Sequence, residues 1–229
     1  MRRFLSAVTL ALLTACGTGG TLEPTQLSAI RLYNASFDSP AVNVFLRGVI
    51  LSQGLAFGHG QFHVFVQPGS TLIEVRTLTD DVLLDFTAAL TAGSAYTFAF
   101  TGPTAALVPV FLLDDTTAAP TGNFKIRLIH LAPLGPAMDL YVTGVSDDLN
   151  SATPVITATA YTKASSYVNL PVGSLRLRAT QAGTKTVLWD TTDPANFTTG
   201  QGVSLFLIGK AGAGGGGAPY QGQLVADHS

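Results

Sequence analysis

The chain has 229 residues, a net charge of −2, 47% apolar residues and only 11% charged residues, less than half the usual charged share. Its scattered basic residues offer no phosphate-tracking patch, so nucleic acid is excluded as a partner, and the apolar content excludes disorder. The single cysteine excludes disulfides and thiolate metal centres.

The amino terminus reads MRRFLSAVTLALLTACGTGG. Arg2 and Arg3 supply a positive start, and Phe4 to Ala15 form an uncharged, mostly apolar stretch of 12 residues. As a helix it would rise about 18 Å, too short for a hydrocarbon core of roughly 30 Å. It reads as a signal peptide over residues 1–15. Leu13-Thr14-Ala15-Cys16 has the apolar, small, small, cysteine order of a lipobox, which predicts acylation at Cys16. Several acyl chains on one residue give stable anchoring, so the membrane is the first expected partner. The expected location is exported and lipid-anchored to the cell envelope. Gly17 in place of a retaining Asp favours the outer membrane in a double-membraned host. Residues 16–28 then serve as anchor and linker.

The remaining chain repeats itself. IRLYNASFDSPAVNVF (30–45) aligns with IRLIHLAPLGPAMDLY (126–141), 96 residues on. Ala56-Phe57 and Gly69-Ser70 recur as Ala160-Tyr161 and Gly173-Ser174, 104 residues on, with the extra length near SDDLNSATP (146–154). Leu84-Asp85 and Gly102 recur as Trp189-Asp190 and Gly209. Constant order with variable loops indicates a duplicated domain.

In chain order, the first copy (29–119) offers strand-like runs at VNVFL (42–46), FHVFV (62–66), TLIEV (71–75) and YTFAF (96–100). Around Leu32 and Asn34 the apolar alternation is poor. A linker is expected at DDTTAAPTGN (114–123). The second copy (124–229) offers MDLYV (138–142), YVNLP (167–171), LRLRA (175–179) and VSLFLI (203–208). Turns are marked by Asp38-Ser39-Pro40, Pro68-Gly69, Gly93-Ser94 and Pro133 to Pro136. No 3.6-residue apolar period occurs outside the amino-terminal stretch. The pattern predicts an all-β protein of two tandem antiparallel β-sandwich domains, which the short linker would stand end to end.

These motifs resemble the family called domain of unknown function 4397, whose copies open with a Val-Arg-Val strand, a His-Ala-Ser-Pro-Asp-Ala-Pro turn and a Val-Asp-Val-Tyr strand. The second copy keeps Arg127, His130, Ala132, Pro133, Pro136, Ala137, Asp139 and Tyr141. The first keeps Arg31, Ala35, Ser36, Asp38, Pro40, Ala41 and Val42, but has Asn34, Phe37 and Asn43 at the histidine, first proline and aspartate places. The resemblance covers nearly all of 29–210. It implies tandem immunoglobulin-like or transthyretin-like sandwiches in an exported protein, and it brings no known activity.

Candidate ligand contacts are few. His130 and Asp139 flank one turn and could form a polar contact site, or could serve the turn itself, as Asn34 and Asn43 would in the other copy. His59 and His63 are four apart in GHGQFH, but zinc needs a third ligand, and the other copy has Lys163 and Tyr167 there. The pairs Asp80-Asp81, Asp114-Asp115 and Asp147-Asp148 lack calcium-loop spacing and read as turn and solubility residues. GKAGAGGGGAP (209–219) lacks phosphate-loop spacing and reads as a surface loop, and Trp189 reads as core. No Gly-x-Ser-x-Gly elbow occurs. No metal, cofactor or catalytic residue is therefore expected. The sequence points to a non-enzymatic, lipid-anchored structural or binding module whose partner is an envelope protein or polysaccharide. The alternative is a small-ligand or metal carrier using His59, His63 or His130.

Overall fold

The structure, a computed structural model, describes residues 26–191, 193–209 and 220–227. The expected signal peptide, Cys16 and most of 209–219 lie outside the described residues. Among the described residues no helix is long and apolar enough to cross a membrane.

The first half comprises β1 (Ser28–Ala35), β2 (Val42–Leu46), β3 (Val49–Leu55), β4 (Val64–Val66), β5 (Gly69–Arg76), β6 (Val82–Leu90), β7 (Ala95–Thr101) and β8 (Val108–Asp114). Two four-stranded sheets form, ordered β4-β1-β7-β8 and β3-β2-β5-β6. They close over one core that includes Ile30, Leu32, Val44, Ile73, Val75 and Phe98. The second half comprises β9 (Asn123–Leu131), β10 (Met138–Gly144), β11 (Ile156–Thr159), β12 (Val168–Pro171), β13 (Gly173–Gln181), β14 (Val187–Asp190), β15 (Ala195–Phe197), β16 (Gly202–Ile208) and β17 (Gln221–Ala226). Its sheets are β12-β9-β16-β17 and β11-β10-β13-β14, with β15 paired to β13. The strand order repeats that of the first half, with β14 and β15 together in the place of β6. Ile126, Leu128, Leu140, Leu177 and Leu205 lie in its core.

The expectation of purely antiparallel sheets needs one amendment. β1 runs parallel to β7, and β9 runs parallel to β16. All other strand pairs are antiparallel.

The expected end-to-end arrangement is wrong. The two sandwiches pack face to face, through the outer faces of the β4-β1-β7-β8 and β12-β9-β16-β17 sheets. A third apolar cluster joins Tyr33, Ala35, Ala99 and Val110 of one half to Ile129, Leu131, Phe206 and Ile208 of the other. Tyr33 stacks on Phe206, with ring centroids 4.3 Å apart. The result is four layers of sheet with three cores. The connecting segment is pinned as well, since Ala119 N–H donates to the Gly200 carbonyl (3.1 Å). The physical reason is burial on both faces. In β1 and β9 almost every residue is buried, so the strand face turned away from its own core requires a cover.

At the centre of this interface lies a buried polar cluster with approximate two-fold symmetry. Arg31 Nη2 meets Asp227 Oδ1 at 2.6 Å, and Arg127 Nη2 meets Asp114 Oδ1. Arg31 Nη1 donates to the Ala226 carbonyl and Arg127 Nη1 to the Leu113 carbonyl. Arg31 Nε donates to Thr97 Oγ1 (2.7 Å) and Arg127 Nε to Ser204 Oγ (2.8 Å). Each hydroxyl in turn donates to an aspartate: Thr97 to Asp114 and Ser204 to Asp227. Each half thus gives an arginine to the other half's terminal aspartate, the reciprocal pattern of an isologous contact. Buried charges persist only when paired and hydrogen-bonded, and here both conditions are met.

Candidate functional site

The structure does not bring the four sequence-level candidates together. His130 is fully buried. Its Nδ1 accepts from Ala132 N–H at 3.3 Å, which leaves Nε2 to donate to the Pro136 carbonyl at 3.0 Å. Burial, only partly opposed by the Pro136 contact, lowers its pKa and favours this neutral form. Asp139 accepts from Ala158 N–H (2.7 Å) and Gly183 N–H (2.8 Å), clamping two loops. The first half does the same with amides. Asn34 accepts from Ser36 N–H and donates to the Leu55 carbonyl, while Asn43 accepts from Gly54 N–H. Gly54 and Ala158 both have positive φ, 65° and 51°, beside irregular strand pairing, so the side chain at 43 or 139 holds a bulge.

This equivalence yields a prediction. His130→Ala strands one buried N–H and one carbonyl and should cost about 1–3 kcal/mol. His130→Asn, which installs the first half's own solution, should cost less than half as much in urea denaturation. Equal losses would show that the ring has another task.

His59 is exposed, with Nδ1 2.9 Å from the Phe57 carbonyl oxygen. His63 instead reaches the interface cluster, with Nε2 2.7 Å from Asp114 Oδ2. The matching residue of the second half, Tyr167, donates to Asp227 Oδ2 at 3.0 Å. Among the described residues, no group of three or more His, Cys, Asp or Glu gathers as a metal site would require.

Asp80, Asp81, Asp147 and Asp148 occupy turns. Arg76 pairs with Asp80, Thr77 and Thr79 donate to Asp81, Asp147 accepts from Gly144 N–H, and Asp148 caps a short helical turn. Asp114 departs from the turn-and-solubility reading, because its side chain is fully buried. Burial alone would raise its pKa. The His63 hydrogen bond and the charges of Arg31 and Arg127 overcome that and hold it at about 2.

Clefts open at three places among the described residues. One, of about 560 Å³, holds Asp139, Tyr141 and Lys185. Its polar groups are already engaged: Lys185 Nζ donates to the Leu149 and Ala152 carbonyls and lies over the Tyr141 ring. A second runs along the β11 and β12 edges and presents mainly small residues, such as Ala158, Ala160, Ser165 and Ser166. The third, of about 490 Å³, forms where the two halves meet. The second half contributes Trp189, Asp190, Tyr220, Gln221, Gly222 and Gln223, and the first contributes Tyr33 and Gly58.

Sequence reasoning did not single out this third cleft. Trp189, expected in the core, is half-buried, packs against the second half's core and also borders this cleft. Its indole lies directly on Gly222, where a Cβ would fall 2.2 Å from Trp189 Cε2. Only glycine allows that approach. Tyr33 donates to Gln223 Oε1 at 2.5 Å across the boundary between the halves. Asp190 is neutralised by Arg176, at 2.9 and 2.5 Å. The second half's divergence at Trp189-Asp190 from Leu84-Asp85 was the available signal, but the sequence did not reveal which neighbours it meets.

No curated protein matches the chain. A solved structure, CBMbc (family CBM26) of Amy13K from Eubacterium rectale in complex with maltoheptaose, is 14% identical. The alignment covers 86% of this chain and 96% of that one, with a TM-score of 0.27. The family described as Domain of unknown function (DUF4397) matches residues 28–141. That segment runs from β1 through β8 and on into β10, and so contains both Arg31 and Arg127. Through residues 28–141 this chain belongs to the DUF4397 family.

Proposed function

We propose that this protein is a non-enzymatic binding module of the cell envelope, held at the membrane by acyl groups on Cys16. The supporting observation is how the acid–base candidates are used. His130 and Asp139 have their polar atoms engaged by backbone, and His63 by Asp114, so these groups serve the scaffold. The face-to-face sandwiches form a braced body suited to presenting a surface rather than to opening and closing. The lipobox order and the short apolar stretch before it support the tether.

Two measurements test this. Cys16→Ser should move the protein from the membrane pellet to the soluble fraction and abolish incorporation of labelled fatty acid. Retention in the pellet would overturn the tether. A pull-down from envelope extract with the full chain should retain a protein or polysaccharide component. Catalytic turnover lost on His130→Asn would overturn the non-enzymatic reading.

A further inference from the structure

We infer that the cleft between the two halves, bordered by Trp189, binds an uncharged polysaccharide segment; this rests on the binding-module reading and names its ligand class. Three observations converge. First, the lining pairs aromatic rings, Trp189 and Tyr220, with the exposed side-chain amides of Gln221 and Gln223; Gln223 Oε1 accepts from the buried Tyr33 hydroxyl, which leaves its amide N–H groups and the whole Gln221 amide to a ligand. A sugar ring presents an apolar C–H face and a rim of paired hydroxyls. Aromatic faces match the former, and amides, which both donate and accept, match the latter.

Second, the described lining favours an uncharged ligand. Among the described residues no Lys or Arg lines the cleft, and its carboxylate, Asp190, is already paired with Arg176. An anion would find no unpaired counter-charge among these groups, at the desolvation cost of an unpaired ion. The volume, about 490 Å³, lies within the range of roughly 300–1,000 Å³ usual for small-molecule sites.

Third, the same scaffold occurs twice, and only one copy is furnished this way. The β8 register corresponding to Tyr220 to Gln223 carries Leu107, Val108, Pro109 and Val110, and Leu84 stands in the place of Trp189. The fold therefore does not need aromatic rings and amides at these positions. Gln221 and Gln223 are exposed, while Trp189 and Tyr220 are half-buried at the rim of the second half's core, with Gly222 under the indole, and border the cleft with what remains exposed.

Trp189 is the only tryptophan in the chain, so its emission reports on this cleft alone. The full chain should be titrated with neutral oligosaccharides of glucose, mannose and xylose, and with polygalacturonate as the charged comparison. At least one neutral series should change the emission and protect it from acrylamide quenching, while polygalacturonate should not. Gln221→Ala should weaken the response about tenfold, the worth of one or two neutral hydrogen bonds. Trp189→Leu installs the residue of the other copy and so should fold; it should reduce binding at least tenfold by affinity electrophoresis. No response to any neutral series, an equal response to polygalacturonate, or unchanged binding by Trp189→Leu would each overturn the inference. If the pull-down still captures an envelope protein while no sugar binds, only the ligand class fails. If neither occurs, the binding-module reading fails with it.

Discussion

Asp114→Ala should destabilise the folded chain by about 3–5 kcal/mol, the cost of breaking one side of a buried ion pair. The side chain accepts from Arg127, Thr97 and His63 and lies 3.6 Å from Arg31 Nε. Removing it leaves Arg127, itself only 3% exposed, without its carboxylate. Denaturant unfolding followed by far-UV circular dichroism measures the loss, and a change below 1 kcal/mol would show that the cluster contributes nothing net. The same group predicts an acid limit. A carboxylate whose pKa is depressed on folding contributes stability above its unfolded pKa, and that contribution disappears as pH falls through the folded pKa. For Asp114 the window runs from about 4 down to about 2. Asp115, held at about 2 by Lys125 and Thr117, titrates in the same window but is half exposed and contributes less. The diagnostic is therefore a difference: wild type should lose more stability than Asp114→Asn between pH 4 and pH 2. Parallel curves would remove Asp114 from the acid response.

Phe206→Ala should have a comparable effect through packing. The ring is fully buried between the halves, stacked on Tyr33 and 5.3 Å from the Arg31 guanidinium carbon. Truncating a buried phenylalanine costs about 3–5 kcal/mol in lost transfer free energy and residual cavity. The location adds a second expectation. Phe206 belongs to the cluster shared by the sandwiches, and each half keeps its own separate core. Thermal unfolding of the variant should therefore broaden or split into two transitions, where the intact chain should unfold in one. An unchanged transition would mean that Phe206 does not couple the halves. Because Tyr33 also lines the Trp189 cleft, the variant should alter the tryptophan emission as well.

Much of the fold was readable because local rules sufficed. β-Branched and aromatic runs separated by Gly and Pro turns specify strands, and the repeated IRL motif falls on β1 and β9. The motif turn was readable too: Asn34 and His130 both accept from the N–H two residues on, a contact set by spacing alone. The third core was less visible, yet it left a trace. IRLY and IRLIHL fail to alternate, and a strand that does not alternate is buried on both faces. Arg31 and Arg127 sit inside those runs and are buried, although an arginine is ordinarily a surface residue. Asp114 was misassigned because its partners lie at Arg31 and Arg127, and a residue at a strand end beside a second aspartate looks like a turn.

The sequence by itself determined the β class, the family and the positions of the turns, because these depend on residues a few positions apart. The tertiary structure alone decided that the two sandwiches meet face to face, that two arginines and two aspartates exchange partners across the join, and that Trp189 borders a cleft made by both halves. Those features join residues as far as 196 positions apart, and no local preference encodes such a distance. They follow from the need to cover apolar faces and pair buried charges, which is satisfied only once the sheets have come together.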